Sequence, residues 1–244
     1  LRSGKTAEEI FSEQLEKCGV DWFDVYLLHG LDGEDAAFAE EQGCFDFLKE
    51  LKHTGKARFT GFSFHDTADV LEQILTEHPE VEYVQLQINY LDWEDENVQS
   101  RKCYEVAVKH GKKVLVMEPV KGGALGKVSP QVEELLKGYN PSASLASWAV
   151  RFAASLEQVV MVLSGMSNEE QIADNTSYMK DFQPLNEEEF KILEQAADMI
   201  RNDIAVPCTG CAYCVADCPK NIAIPEYFTM YNKVKRFQGV GIQW

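Results

Sequence analysis

The stretch Phe23-Asp-Val-Tyr-Leu-Leu-His29 decides the fold, because it is an apolar segment of strand length that ends in a histidine. A helical pattern precedes it at Thr6–Cys18, with Thr6 placed to cap the first turn. A second helical pattern follows at Cys44–Lys52, and another strand pattern at Arg58–Phe64. This order of strand, helix and strand is typical of parallel βα units.

The same alternation continues to about residue 180 and predicts five strands, each followed by a helix. The other predicted strands are Val81–Asn89, Lys113–Glu118 and Val159–Leu163. A complete eight-stranded barrel takes about 250 residues. We therefore expect an α/β fold, namely a partial TIM (β/α)8 barrel with about five of eight βα units. The missing units are expected before Leu1.

A cysteine run near the end of the chain predicts an iron–sulfur site. It reads Cys208-Thr-Gly-Cys211-Ala-Tyr-Cys214-Val-Ala-Asp-Cys218-Pro219, which is the ferredoxin-like spacing for a 4Fe-4S cluster. Zinc is the weaker alternative, because structural zinc sites usually use two separate C-x-x-C pairs. Disulfides are less favoured still.

The last cysteine of the run leaves two alternatives open. In two-cluster ferredoxins the fourth cysteine ligates the other cluster, so Cys218 either serves a second cluster or closes a single one. One or two clusters are therefore expected in the full-length protein. The remaining cysteines, Cys18, Cys44 and Cys103, lie in helical patterns and are expected to be small buried residues.

Composition narrows the class of protein. The formal net charge of -17 disfavours nucleic acid and anionic membrane surfaces as partners. No apolar run reaches the length of a spanning helix, and no signal peptide is visible. Exposed thiolates need a reducing compartment, so we expect a cytoplasmic protein. The expected organisation is a barrel part at 1–182, a connecting helix at 183–206 and a ferredoxin-type, truncated segment at 207–244.

The predicted strands end in polar residues, and in such barrels the chemistry sits at the carboxyl ends of the strands. These ends, with the residues that follow them, also carry the most specific sequence motifs. The motifs are Asp24-Val-Tyr-Leu-Leu-His29, Gly61-Phe-Ser-Phe-His65, Gln85-Leu-Gln-Ile-Asn-Tyr-Leu91, Met117-Glu-Pro-Val-Lys-Gly-Gly123 and Ser164–Asn175. In order and spacing they resemble the aldo/keto reductase family, and together with the cysteine run its iron–sulfur branch.

The resemblance implies an oxidoreductase that transfers a hydride between NADPH or NADH and a carbonyl or alcohol substrate. The family uses Asp, Tyr, Lys and His for catalysis. His29 matches the histidine, while the other three belong to the part of the barrel expected before Leu1. We therefore expect the chain by itself to be inactive.

The resemblance also implies a set of cofactor-binding residues. Ser63 and Gln85 match positions that bind the nicotinamide amide, and Pro119 and Val120 match the pyrophosphate loop. At the adenosine end the matching residues are Ser164, Gly165, Gln171 and Asn175. Gly165 and Gln171 replace the basic residues that grip the 2'-phosphate, so the choice between NADP and NAD stays open.

Two other functions stay open at this point. The chain fits a nucleotide-binding iron–sulfur protein for electron transfer or redox sensing, without carbonyl reductase activity. It also fits a regulatory subunit that holds a partner. The expected partners are a small-molecule carbonyl or alcohol and, if the cluster is redox-active, an electron-carrier protein.

Overall fold

A computed structural model describes residues 4–203, 205–206, 208, 213–216, 218–220 and 222–236. The chain divides into two compact units. The first unit contains the described residues of Leu1–Ile88, Asp92–Met117 and Glu157–Leu163. The second contains the described residues of Asn89–Leu91, Glu118–Leu156 and Ser164–Trp244. The functional boundaries predicted at 182 and 206 stay a prediction.

The first unit is built on a five-stranded parallel sheet with the strands in sequential order. Its strands are β1 (Phe23–Leu31), β2 (Ala57–Phe64), β3 (Tyr83–Gln87), β4 (Lys113–Met117) and β5 (Val159–Val162). Its helices are α1 (Ala7–Cys18), α2 (Gly33–Glu41), α3 (Cys44–His53), α4 (Ala68–Glu77) and α5 (Ser100–Lys109). Each strand is followed by a helix along the chain, so the predicted α/β fold with five parallel strands is confirmed.

Helix α1 begins where the sequence predicts. The Thr6 side chain accepts a hydrogen bond from the Glu9 amide, and the Glu9 carboxylate accepts one from the Thr6 amide. This reciprocal pair satisfies two amides at the start of the helix. Phe11 on the inner face of α1 is 5% exposed and packs with Leu51 and Ala57. The helix therefore covers the neighbouring ends of α3 and β2.

Strand β1 is longer than predicted. It continues to Leu31, so His29 lies inside the strand rather than at its end. Gly30 has a φ of 71°, and the pairing with β2 shifts between Leu28 and Leu31. A glycine adopts this left-handed conformation easily. The shift lets Leu31 pair with Phe64 after the interruption.

The second unit is helical in the described residues. Its helices are α6 (Pro130–Tyr139), α7 (Leu145–Ala154), α8 (Glu169–Met179), α9 (Glu187–Asn202), α10 (Tyr213–Ala216) and α11 (Ile224–Arg236). Helix α6 packs against α9, and α7 against α8. Helix α9 lies within the predicted connecting helix at 183–206 and begins at Glu187, because Asn186 forms a capping box with Glu189.

The three isolated cysteines do not behave alike. Cys44 and Cys103 are 0% and 3% exposed, which confirms the prediction that they are buried. Cys18 is exposed, so the prediction is wrong for this residue. Cys18 is the last residue of α1, before the helix ends at Gly19 in the left-handed conformation, so its side chain lies at a helix end rather than on the packed face. Within the described part of the chain, no helix is both long and apolar enough to cross a membrane.

Candidate active site

His29 and Ser63 lie on the neighbouring strands β1 and β2. The His29 side chain is exposed, whereas Ser63 is 2% exposed. The amide of Gly30 donates a hydrogen bond to the Ser63 Oγ over 2.7 Å. Because this contact uses a lone pair of the hydroxyl, the Ser63 proton stays available for a second partner.

His29 also lines a cavity of about 470 Å³ in the first unit. The surrounding side chains are mostly apolar and include Tyr26, Leu28, Leu31 and Phe38. Small-molecule sites are typically apolar cavities of roughly 300–1,000 Å³ that contain a few polar groups. The cavity lies between β1 and side chains of helices α1, α2 and α3, and His29 is one of its few polar lining residues.

Ser63 and Gln85 are direct Cα partners across β2 and β3. Both therefore belong to the same row of the sheet and project to the same face. The Gln85 Nε2 donates to the Met117 Sδ over 3.4 Å, and Gln85 is half-buried. The fold thus brings together two residues predicted to bind one amide group, and it adds Met117 beside them.

The loop after β4 has an unusual backbone. Glu118 and Lys121 have φ values of 54° and 50°, in the left-handed region that residues other than glycine rarely adopt. Between them Pro119 is buried and Val120 is half-buried. A residue before proline normally prefers an extended conformation, which makes the Glu118 backbone strained. Such strained segments cluster at functional sites.

Asn89 holds this loop, and sequence reasoning missed its role. Its side chain is 0% exposed, and its Nδ2 donates to the Glu118 carbonyl over 3.2 Å. A buried amide that binds the carbonyl of a strained residue fixes the direction in which the chain leaves β4. The signal available in the sequence was only that Asn89 ends a predicted strand.

The residues predicted for the adenosine end form a hydrogen-bonded chain. The Asn175 Nδ2 donates to the Ser164 Oγ over 2.7 Å, and the Tyr178 hydroxyl donates to the Asn175 Oδ1 over 2.6 Å. Burial, with a smaller effect of the Asp174 carboxylate, raises the pKa of Tyr178. Sequence reasoning did not identify Tyr178, which lies one helical turn beyond Asn175 and fixes its amide.

Gly165 and Gln171 lie in the same segment and are exposed. The Gln171 Oε1 accepts a hydrogen bond from the Ser167 backbone amide over 2.7 Å. The Gln171 backbone amide donates to the Oδ1 of Asn168, which caps α8. Gln171 therefore closes the loop that precedes α8. No lysine or arginine occurs between Ser164 and Met179 in the sequence.

The cysteine run is described only in part. Cys208 and Cys214 are exposed and Cys218 is half-buried, whereas Cys211 lies outside the described residues. The amide of Ile222 donates to the Cys218 Sγ over 3.4 Å. Among the described residues no group of three or more His, Cys, Asp or Glu side chains is placed to hold a metal ion.

A family profile described as the aldo/keto reductase family matches residues 2–198. The chain belongs to the aldo/keto reductase family, which is a family of oxidoreductases. The predicted family resemblance is thereby confirmed, while the iron–sulfur branch stays a prediction. No curated protein sequence matches the chain.

Solved structures agree with the fold. The chain is similar to the holo form of an aldo-keto reductase from Bacillus halodurans, with 22% identity, a TM-score of 0.60, and coverage of 77% of this chain and 63% of that one. A glycerol dehydrogenase from Gluconobacter oxydans gives 18% identity, a TM-score of 0.63, and coverage of 82% and 66%. An aldo/keto reductase from Klebsiella pneumoniae in complex with NADP and acetate gives 19% identity, a TM-score of 0.60, and coverage of 79% of this chain and 65% of that one. The chain thus spans less than two thirds of the Bacillus protein.

Proposed function

We propose that this chain is the greater part of a nicotinamide-dependent aldo/keto reductase. It would transfer a hydride between NADPH or NADH and a small carbonyl or alcohol substrate. The observation that carries this proposal is the pairing of Ser63 with Gln85 at the carboxyl-end half of the sheet. Ser63 is buried and Gln85 is half-buried. Their hydroxyl and amide groups, in one row of the sheet, could hydrogen-bond the carboxamide of a nicotinamide ring.

His29 is the residue that would act on the substrate. Its side chain is exposed, and an imidazole there would orient a carbonyl oxygen by a hydrogen bond. Ser63 and Gln85 would hold the nicotinamide amide, and Met117 would pack beside it. The nicotinamide, when bound, supplies the hydride to the carbonyl carbon, while the carbonyl oxygen takes up a proton.

The proton donor would come from outside residues 1–244. By family resemblance it is a Tyr tuned by Lys and Asp, and these belong to the first three βα units of a complete barrel. Within the described residues, β1 pairs with β2 alone and β5 with β4 alone, so both edges of the sheet are open. A closed barrel has no open edges, which supports a protein in which further strands complete the sheet.

By family resemblance, a further set of residues would bind the rest of the nucleotide. The strained loop at Pro119 and Val120 would follow the pyrophosphate, and Ser164, Gly165, Gln171 and Asn175 would meet the adenosine. Since hydrogen bonds to Ser164 and Tyr178 fix the Asn175 side-chain amide, this amide would already be oriented before the nucleotide binds. The relatives with NADP support that cofactor, whereas the lack of lysine and arginine between Ser164 and Met179 supports NAD.

We further propose that the cysteine run holds a 4Fe-4S cluster, in the reducing cytoplasm. Cysteine thiolates are the usual ligands of such a cluster, and their spacing here is that of ferredoxins. The Ile222 amide already donates a hydrogen bond to the Cys218 sulfur. We propose that cluster assembly brings Cys208, Cys211 and Cys214 together, with Cys218 closing this cluster or serving a second one. The cluster, when bound, supplies one-electron chemistry or a structural link.

The enzyme proposal is tested with the complete protein. His29→Ala should lower kcat at least about a hundredfold while it changes the dissociation constant of the nicotinamide cofactor less than about threefold. The matched control is His53→Ala, since His53 lies in the last turn of α3, away from the cavity that His29 lines. An unchanged kcat would leave His29 with a structural role only.

A panel of aldehydes separates this proposal from its alternative. Oxidation of NADPH or NADH by any of them supports the reductase. Cofactor binding with no oxidation by the whole panel would instead favour an electron-transfer or redox-sensing protein, which the cysteine run supports. Protein purified and reconstituted without air should show iron, sulfide and broad visible absorption. Bound zinc without that absorption would exclude the cluster.

A further inference from the structure

The Ser63 hydroxyl keeps its proton for a ligand. Its Oγ accepts a hydrogen bond from the Gly30 amide over 2.7 Å, which occupies a lone pair and leaves the O–H unused. Ser63 is 2% exposed, and no acceptor for its proton is present in the part of the chain that the structure describes. Because buried polar groups are nearly always hydrogen-bonded, the group that completes Ser63 is an acceptor.

The thioether of Met117 fixes the orientation of the Gln85 side-chain amide. The Gln85 Nε2 donates to the Met117 Sδ over 3.4 Å, and a thioether accepts hydrogen bonds but cannot donate them. The amide nitrogen therefore faces Met117, and the carbonyl Oε1 lies on the other side of the same group. Among the described residues nothing donates a hydrogen bond to this Oε1. Gln85 thus offers an acceptor, whereas Ser63 offers a donor.

Ser63, Gln85 and Met117 share one face of the sheet. Ser63 pairs directly with Gln85 across β2 and β3. Gln87, two residues after Gln85, pairs with Met117 across β3 and β4. Residues two apart in a strand project to the same face, so Met117 lies on the face of Ser63 and Gln85. Since neighbouring strands are roughly 5 Å apart, one small planar group can bond to both side chains.

A primary carboxamide matches this pair of groups, because its carbonyl oxygen accepts and its NH2 donates. A carboxylate offers acceptors only, so it would set one acceptor against the Gln85 Oε1. We infer that Met117 is a positioning residue, whose thioether holds the Gln85 amide so that the site recognises a carboxamide and rejects a carboxylate. Without the thioether, the Gln85 amide can turn over and present its Nε2 to a carboxylate. This inference rests on the proposed nicotinamide function for its ligand.

The complete protein tests this selectivity in calorimetric titrations with three ligands. They are oxidised NADP or NAD, its analogue with a ring carboxylate in place of the carboxamide, and ADP-ribose, which lacks the ring. The wild type should bind the carboxamide at least about thirtyfold more tightly than the carboxylate, because a mismatched buried polar pair is unfavourable. Met117→Leu, which conserves volume, should reduce this preference to about threefold or less and leave the binding of ADP-ribose unchanged.

Two comparisons separate positioning from packing. Met199→Leu is the matched control, because it makes the same substitution at a half-buried methionine of α9, and it should keep the wild-type preference. Gln85→Glu supplies a side chain with no N–H to turn toward the ligand. In the Gln85→Glu background, Met117→Leu should leave the preference unchanged, since Met117 acts through Gln85. An equal effect in both backgrounds would overturn the positioning role.

The outcomes also keep this inference apart from the proposed function. Cofactor binding with one and the same preference in the wild type and in Met117→Leu overturns the role of Met117 and leaves the proposed function standing. Failure to bind any dinucleotide overturns the proposed function, and the selectivity with it. The contact itself is measured without ligand, as exchange of the Gln85 side-chain amide protons with water by NMR. Met117→Leu should speed this exchange at least about fivefold, and an unchanged rate overturns the inference.

Discussion

At the scale of single residues, Gly61 limits how closely two strands approach. An ideal Cβ at this position would lie 1.9 Å from the Tyr83 carbonyl oxygen. No side chain fits at that distance, so the backbone of β2 or β3 would have to move. Gly61 pairs directly with Tyr83 and stands two residues before Ser63, so such a movement would reach the candidate active site.

Gly61→Ala should therefore lower the free energy of unfolding by about 3 kcal/mol, since overpacking a buried position forces strain on its neighbours. Urea unfolding followed by far-ultraviolet circular dichroism measures the change. The matched control is Gly138→Ala in α6, where an added Cβ meets no atom within 4 Å. This control should leave stability unchanged or raise it by up to about 1 kcal/mol. Equal effects at both sites would contradict the packing argument.

The cysteines should also differ from one another in how fast they react with an alkylating reagent. Burial, with a smaller effect of the Asp66 carboxylate, raises the pKa of Cys103 to about 11. At pH 8 only about one Cys103 in a thousand is then a thiolate, the reactive form. Iodoacetamide on the native protein should label the exposed Cys18 and leave Cys103 unlabelled, as measured by peptide mass spectrometry. Labelling of Cys103 should rise only as the pH approaches 11, and equal labelling of both at pH 8 would contradict its burial.

At the scale of elements, one ion pair joins helices α7 and α9. The Arg151 guanidinium meets both carboxylate oxygens of Glu189 over 3.1 and 3.4 Å, and it also donates to the Gln183 carbonyl. Both side chains are largely buried, at 12% and 8% exposure. Glu189 is also the third residue of α9 and the capping-box partner of Asn186. The ion pair therefore holds the residue that fixes where α9 begins.

Arg151→Met should lower the free energy of unfolding by about 3 kcal/mol, because it leaves the Glu189 carboxylate buried without its cation. Fluorescence of the buried Trp148 in the same unit follows the transition. Arg101→Met is the matched control, since Arg101 forms an exposed pair with Glu94 and should cost less than about 1 kcal/mol. A loss as small as that of the control would show that the buried pair adds nothing.

At the scale of the whole molecule, the proposed function predicts that the chain alone has little activity, because both edges of the sheet are open in the described residues. Residues 1–244 supply His29 and the proposed nucleotide-binding residues, but no residue matched to the proton donor. General acid catalysis contributes roughly a hundredfold to ten-thousandfold to a rate. The purified chain should therefore oxidise NADPH or NADH with aldehydes no faster than its His29→Ala variant. Robust turnover that depends on His29 would contradict the assignment of the barrel.

Much of the fold could be predicted because its signals are local. The capping threonine of α1, the apolar strands and the alternation of Val84 and Leu86 with polar neighbours all act within a few residues. Helices α2 and α6 were missed. Asp32 caps α2, but this helix shows no clear apolar stripe in the sequence, so its position follows from packing as much as from pattern. Helix α6 has Pro130 in its first turn and an apolar stripe at Val132, Leu136 and Tyr139, a local signal that sequence reasoning overlooked.

The sequence by itself determined the parallel βα order, the family and the kinds of residue at the strand ends, because these follow from chain order and residue type. Only the tertiary structure decided that Ser63 stands beside Gln85, that Asn89 holds the strained Glu118 and that Tyr178 fixes Asn175. Residues that meet across strands and helices are far apart along the chain. Their pairing depends on register and packing, which no local pattern encodes.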